Sequence, residues 1–186
     1  ISTLVGGASI VTFPALIAAG LAPAIAVASN LAAMMPSVLY SAFKERTRLP
    51  KFDHTFITAI TAAMVGGVIG AILLLLTPPK AFQVVVPLLL ALATALFALG
   101  RPINTWMRNR AMRLHGREPR VGAAGIAVLL PVSIYIGYFG AGAGVMLLAM
   151  FSIWKAGDYR TANVMKNLIA SLNMLFASII FVAQGL

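Results

Sequence analysis

Long apolar runs separated by short polar stretches dominate the chain. A helix needs about 20 apolar residues to cross a hydrocarbon core of about 30 Å. The runs that meet this length are 23–43, 55–76, 81–100, 121–140 and 161–183. Two shorter apolar stretches, 1–21 and 141–154, are compatible with short spans or with re-entrant segments. The pattern predicts an all-α fold, a polytopic transmembrane helical bundle in a single transmembrane domain.

The composition identifies lipid as the main solvent. Hydrophobic residues make up 61% of the chain and charged residues only 10%, whereas a soluble domain carries about a quarter charged residues. The absence of cysteine excludes disulfides, thiolate metal sites and a cysteine nucleophile. The net charge of +10 does not indicate nucleic-acid binding, because such binding needs basic residues on a soluble folded face.

Most of the charge lies in two stretches, 44–54 and 101–120. The positive-inside rule predicts that both are cytoplasmic loops of a multi-pass protein in the cell inner membrane. The two spans between them are joined by Thr77-Pro78-Pro79-Lys80, a tight turn in which proline cannot continue a helix. This pair is therefore expected to be a hairpin with an external turn, after which 121–140 and 161–183 both run outward.

A shift of 136 residues aligns the chain with itself. It places Gly6-Gly7-Ala8-Ser9-Ile10 on Gly142-Ala143-Gly144-Val145-Met146, and Asn30 on Lys166. Apart from a chance match in an alanine- and glycine-rich chain, the explanation is two inverted structural repeats, because the predicted topology runs the two long helices in opposite directions. We expect repeat 1 at about 1–100 and an incomplete repeat 2 at about 121–186, with more helices beyond both ends in the natural protein.

Glycine clusters in both copies are candidates for an anion site. Unwound backbone at a helix break presents amide N–H groups to an anion, and glycine allows the backbone to take that shape. The candidates are Gly6, Gly7 and Ser9 in the first cluster and Gly140, Gly142 and Gly144 in the second. The alternative is close helix packing between small residues, which we favour for Gly66 and Gly70.

Polar residues follow each glycine cluster on the next long helix. Lys166 and Asn167 lie in the span 161–183, and Ser29 and Asn30 lie in the span 23–43. A lysine inside a membrane is a functional candidate, because burying an ammonium group is expensive. The alternative is that Lys166 snorkels to the cytoplasmic interface.

The positions of the acidic and histidine side chains argue against cation transport, metal binding and catalysis. All four acidic residues lie outside the predicted spans or at their ends, which disfavours a cation pathway. His54 and His115 are isolated in the basic stretches. We therefore predict no metal site, no cofactor and no enzymatic activity.

The repeated motif resembles the TauE/SafE family. In the first half, the motif is Gly6-Gly7-Ala8-Ser9, followed by Ala26-Val27-Ala28-Ser29-Asn30-Leu31. That family often has a further glycine in the first motif. In the second half, the motif is Gly137-Tyr138-Phe139-Gly140-Ala141-Gly142-Ala143-Gly144, followed by Lys166 and Asn167. The resemblance implies two homologous halves and a transporter of sulfite or related sulfur anions.

The expected function is therefore secondary transport, by export, of a small anion such as sulfite, another sulfur oxyanion or an organosulfonate. The candidate substrate-binding residues are Gly6, Gly7, Ser9, Ser29, Asn30, Gly140, Gly142, Gly144, Lys166 and Asn167. The expected partners are this anion and the lipid bilayer. The alternative is a non-transporting membrane scaffold or assembly protein whose glycines serve helix packing.

Overall fold

The computed structural model describes residues 8–49, 54–115, 123–154 and 159–185, and all regular structure within these ranges is helical. The α-helices are α1 (Ala8–Ala18), α2 (Pro23–Lys44), α3 (His54–Leu76), α4 (Pro79–His115), α5 (Ala123–Tyr138), α6 (Ala143–Trp154) and α7 (Tyr159–Ala183). A short 3₁₀ helix, Arg46–Arg48, follows α2. The predicted all-α membrane fold is confirmed.

Helices α2, α3 and α7 contain segments long and apolar enough to cross a membrane. These segments are Pro23–Lys44, Phe56–Leu76 and Arg160–Ala183, and they match three of the predicted spans. Large apolar side chains such as Val84, Leu88 and Val182 are exposed on the outside of the bundle, with 70% to 77% of their surface accessible. Such side chains suit a lipid environment, in which apolar surface carries no penalty.

Helix α4 corrects the boundary predicted after the third span. The apolar run 81–100 was expected to end in a loop at 101–120, but α4 continues without a break from Pro79 to His115. The expectation is wrong for 101–115, and 116–120 lie outside the described residues. Arginine, methionine, leucine and alanine are good helix formers, so the basic composition ends the apolar surface without ending the helix. At about 1.5 Å per residue, α4 is about 55 Å long and exceeds the thickness of the hydrocarbon core.

Helices α1, α5 and α6 are shorter than a membrane crossing. The apolar run 121–140 contains only the 16 residues of α5, which span about 24 Å. With 11 and 12 residues, α1 and α6 span only about 16 and 18 Å. Over the residues that the structure describes, neither α1 nor α6 is therefore long enough to cross a core of about 30 Å by itself.

The end of α1 is formed by a glycine in the left-handed region. Gly20 has a φ of +90°, its N–H donates to the carbonyl of Ile17, and the Leu21 N–H donates to the carbonyl of Leu16. This pair of hydrogen bonds is the Schellman motif, which satisfies the last carbonyl groups of a helix. Pro23 then starts α2, where its fixed φ suits the first helical turn.

The helix bounds follow the sequence repeat. Moved by 136 positions, Ala8–Ala18 becomes 144–154 and Pro23–Lys44 becomes 159–180, close to the observed bounds of α6 and α7. Each short helix packs against the long helix that follows it, and the two long helices α2 and α7 pack against each other. The same pair of elements therefore occurs twice.

Glycines allow the backbones of α3 and α5 to approach closely. A Cβ atom added at Gly66 would lie 2.5 Å from the Cβ of Ser133, and one at Gly70 would lie 2.7 Å from the backbone nitrogen of Tyr138. Gly137 packs in the same way on the backbone of Gly67. The packing role predicted for Gly66 and Gly70 is confirmed, and Gly137 shares it.

The far end of α5 lies beside the turn between α3 and α4. The hydroxyl groups of Tyr138 and Thr77 are 3.2 Å apart, and the rings of Tyr138 and Phe82 have centroids 6.0 Å apart. Helix α5 therefore ends on the same side of the bundle as this turn, in agreement with the predicted topology.

Candidate functional site

A break in the chain separates α5 from α6. Within it, Gly140 and Gly142 have φ angles of +75° and +74°. Side chains larger than hydrogen are strained in this left-handed region, so two glycines within three residues permit a backbone path that other residues would resist. The glycine-rich sequence that predicts a helix break therefore forms one.

Tyr135 holds the break from the last turn of α5. Its carbonyl oxygen accepts hydrogen bonds from the N–H groups of Phe139 and Gly140, at 2.9 and 3.2 Å. Its hydroxyl group donates a 2.6 Å hydrogen bond to the carbonyl oxygen of Ala141. One residue thus fixes both sides of the unwound segment.

The break leads directly into the N-terminus of α6. The N–H groups of Ala143 and Val145 donate to the carbonyl groups of Gly140 and Gly142 across the junction, at 3.4 and 3.1 Å. The first turn of a helix carries N–H groups without intrahelical partners and the positive end of the helix dipole. An end of this kind favours an anion over a cation.

Two neighbouring helices place the break within the depth of the bundle. A Cβ atom added at Gly140 would lie 2.5 Å from Leu31 Cδ2, and one added at Gly142 would lie 3.1 Å from Ala93. Leu31 is about 12 Å along α2 from Pro23, and Ala93 is about 21 Å along α4 from Pro79. The break therefore lies level with the interior of both helices and not with their ends.

The first glycine cluster is only partly described. Gly6 and Gly7 lie outside the described residues, while Ser9 is buried and its hydroxyl donates to the sulfur of Met34 at 3.0 Å. One turn further along α1, the Thr12 hydroxyl donates to Asn30 Oδ1 at 2.5 Å. These bonds attach α1 to α2 beside a predicted substrate residue.

An aromatic pair connects α1 with the break. The rings of Phe13 and Phe139 meet edge to face with centroids 4.9 Å apart, and both side chains are buried. Edge-to-face packing is a favoured geometry for aromatic rings. The first short helix and the break before the second one are therefore in contact.

Helix α7 carries a buried polar face. Lys166 is only 2% exposed, so its side chain does not snorkel out of the bundle, and the alternative drawn from the sequence is wrong. The other buried polar residues of this helix are Asn163, Asn167, Ser171 and Asn173. Helix α7 packs against α2, α3 and α6, so these polar side chains lie inside the bundle.

Asn173 forms hydrogen bonds to two other helices. Its side-chain amide nitrogen donates to the carbonyl oxygens of Ala63 and Ser133, at 3.0 and 3.1 Å. A Cβ atom added at Gly67 would lie 2.7 Å from Asn173 Oδ1. Asn173 therefore joins α7 to the α3–α5 pair.

The structure brings together some of the predicted residues and leaves others apart. Gly140 packs on Leu31, which follows Asn30 on α2, Gly142 packs on Ala93, and Asn167 is buried next to Lys166 on α7. Ser29 is exposed on α2, and Gly144 is half-buried in the first turn of α6. Sequence reasoning does not single out Tyr135 or Phe139, because an aromatic residue in an apolar run carries no signal of its contacts.

The described residues offer no grouping for a metal ion. Over the described ranges, no three or more His, Cys, Asp or Glu side chains come together as ligands. The polar groups at the break are backbone amides and the Tyr135 hydroxyl. This chemistry suits hydrogen bonding to an anion.

Fold and site together define a polytopic α-helical membrane protein in which a broken helix lies beside buried polar side chains. The family model described as "Sulfite exporter TauE/SafE" matches residues 1–186, and the chain belongs to this family. The resemblance seen in the glycine motifs is thereby confirmed. Neither the curated proteins nor the solved structures give a significant match. Family membership implies a multi-pass membrane transporter of sulfite or related anions, a class consistent with a protein that is not an enzyme.

Proposed function

We propose that the chain is a secondary transporter that exports sulfite, another small sulfur oxyanion or an organosulfonate across the cell inner membrane. The substrate binds between α2, α7 and the break that precedes α6. Gly140, Gly142 and Gly144 shape the backbone there, and Gly6, Gly7 and Ser9 do so in the first repeat. Ser29, Asn30, Lys166 and Asn167 supply the polar side chains.

Lys166 is the observation that carries this proposal. Its side chain is 2% exposed within a helix that is long enough to span a membrane. The sequence places no acidic residue in the interior of a predicted span. A buried ammonium group in a membrane-spanning helix is a candidate ligand for an anion, because an anion offsets the free-energy cost of burying a positive charge.

Neutral donors complete the proposed anion site. The N-terminus of α6 lies at the break, and the Asn30 amide is 2% exposed on α2 next to Leu31, which packs on Gly140. Amide N–H groups and helix N-termini bind oxyanions without adding a net charge. Such a site binds a small anion through neutral donors and one ammonium group, without several cationic side chains.

The repeat supports a site shared by two halves. The shift of 136 residues pairs Asn30 with Lys166, and both are equally buried on helices that pack against each other. We place repeat 1 at about 1–100 and repeat 2 at about 121–186, with inverted orientations. In transporters with inverted repeats, the substrate lies between the halves, which move relative to each other.

Replacement of Lys166 tests the site. In proteoliposomes that contain the full-length protein, Lys166→Met should lower sulfite flux about 100-fold, the effect of removing one partner of a buried charge pair. Lys80→Met is the matched control, because Lys80 is exposed at the start of α4. Unchanged flux in a folded Lys166→Met protein would exclude the proposed site.

A membrane scaffold is the second candidate. Gly66, Gly70 and Gly137 favour it, because all three are used for close packing between α3 and α5. A scaffold moves no anion, so wild-type protein that leaves sulfite, sulfate and small sulfonates untransported would support this role. If the wild-type protein does transport an anion, oriented vesicles with the anion supplied on one side or the other would distinguish export from import.

A further inference from the structure

The side-chain amide of Asn30 is held from one side only. Its Oδ1 atom accepts the 2.5 Å hydrogen bond from Thr12, while its Nδ2 atom has no hydrogen-bond partner among the described residues. The residue is 2% exposed, so bulk water does not reach the amide freely. A buried donor without a partner is costly, and a bound ligand with acceptor oxygens would remove this cost.

We infer that Thr12 is a positioning residue for the anion site, because its hydroxyl holds Asn30 Oδ1 and thereby directs the Nδ2 donor to the substrate. This inference rests on the proposed function. An asparagine amide has an acceptor and a donor end, and rotation by about 180° exchanges them. With the acceptor end engaged by Thr12, the donor end faces away from α1. The reversed amide would present an oxygen atom to the anion and repel it.

The exposure of the two residues makes this arrangement testable. Thr12 is exposed on α1, so replacing its hydroxyl group with a methyl group disturbs little packing. Asn30 is buried, and direct replacement there changes both the donor and its surroundings. Thr12 therefore offers a way to alter the amide of Asn30 without touching the substrate.

Thr12→Val and Thr12→Ser form the central comparison. In proteoliposomes, Thr12→Val should raise the KM for sulfite about tenfold with little change in kcat, because a donor to a charged ligand is lost from binding. Thr12→Ser keeps the hydroxyl group and should retain the wild-type KM. Thr12→Ala provides a second hydroxyl-free variant if Thr12→Val is unstable. Thr61→Val is the matched control, since Thr61 is an exposed threonine on α3.

A double-mutant cycle separates positioning from a general effect on the structure. In an Asn30→Ala background, Thr12→Val should not raise the KM further, because the amide that it positions is absent. Equal effects of Thr12→Val in the two backgrounds would overturn the inference, as would a wild-type KM in the single variant. If these results occur while Lys166→Met still lowers sulfite flux about 100-fold, the proposed function stands. A wild-type protein that moves no anion overturns both.

Discussion

The hydroxyl group of Tyr135 donates a 2.6 Å hydrogen bond to the carbonyl oxygen of Ala141, across the break between α5 and α6. This bond joins the last turn of one helix to the unwound segment before the next. Ala141 lies between Gly140 and Gly142, whose positive φ angles give the break its shape. A side chain of the preceding helix thus stabilises a backbone path that glycine makes accessible.

Tyr135→Phe should weaken the break without removing the aromatic packing. The ring of Tyr135 also contacts Phe139, with centroids 6.2 Å apart, and phenylalanine preserves this contact. Loss of the hydrogen bond should lower the free energy of unfolding by about 1 kcal/mol. Thermal unfolding in detergent measures this change, with Tyr40→Phe as the control because Tyr40 is 67% exposed. Equal melting temperatures for the two variants would argue against a structural role for the bond.

The positive φ angle and the close neighbours of Gly140 make separate contributions that substitutions can distinguish. Gly20→Ala meets no atom within 4 Å, so only its φ of +90° opposes the change, at a cost of about 1 kcal/mol. Gly140 has a similar φ, and its replacement by alanine also meets Leu31, so we expect the free energy of unfolding to fall by about 2–3 kcal/mol. Unfolding in mixed micelles compares the two variants. Equal losses for the two variants would mean that Leu31 moves aside without cost.

The long spans could be predicted from sequence because lipid imposes a simple requirement. A membrane crossing needs a sustained apolar surface, and the runs at 23–43, 55–76 and 161–183 display it without help from tertiary contacts. The end of α4 does not follow from this rule. Its basic stretch leaves the apolar region but continues the helix to His115, because helix formation depends on backbone hydrogen bonds and not on hydropathy.

The candidate site could be predicted only in part. Glycine content indicated the break at Gly140 and Gly142, and the intramembrane position of Lys166 marked it as a candidate. Whether this lysine snorkels or stays buried depends on how α7 packs, which one helix does not reveal. Likewise, the contact between Phe13 and Phe139 joins distant parts of the chain, and apolar patterns do not specify such partners.

Gly70→Ala should disrupt the packing of α3 on α5. The added Cβ would lie 2.7 Å from the backbone nitrogen of Tyr138, and backbone cannot move aside as a flexible side chain can. We expect a loss of about 2–3 kcal/mol in the free energy of unfolding. Ile69→Ala is the control, since Ile69 is 37% exposed on the same helix. Comparable stability of both variants would show that the two helices separate easily at this point.

Replacement of Asn173 should lower stability and leave transport unchanged, whereas replacement of Lys166 should lower transport, although both residues lie on α7. Asn173→Ala removes the hydrogen bonds to Ala63 and Ser133, so stability should fall by about 2 kcal/mol with the KM for sulfite unchanged. Ser37→Ala is the control, because Ser37 occupies the equivalent repeat position and is exposed. A raised KM in folded Asn173→Ala would instead include Asn173 in the substrate site.

The orientation in the membrane can be tested with single cysteines, because the chain contains none of its own. Lys44, Lys80 and Asn109 are exposed, at the end of α2, at the start of α4 and in the basic part of α4. The positive-inside rule predicts that the basic stretches lie in the cytoplasm and that the turn before α4 lies outside. In intact cells, a membrane-impermeant maleimide should therefore label Lys80→Cys, while Lys44→Cys and Asn109→Cys should react only after permeabilisation. The reverse pattern would invert the proposed topology, and labelling of Lys44→Cys and Asn109→Cys from opposite sides would contradict it.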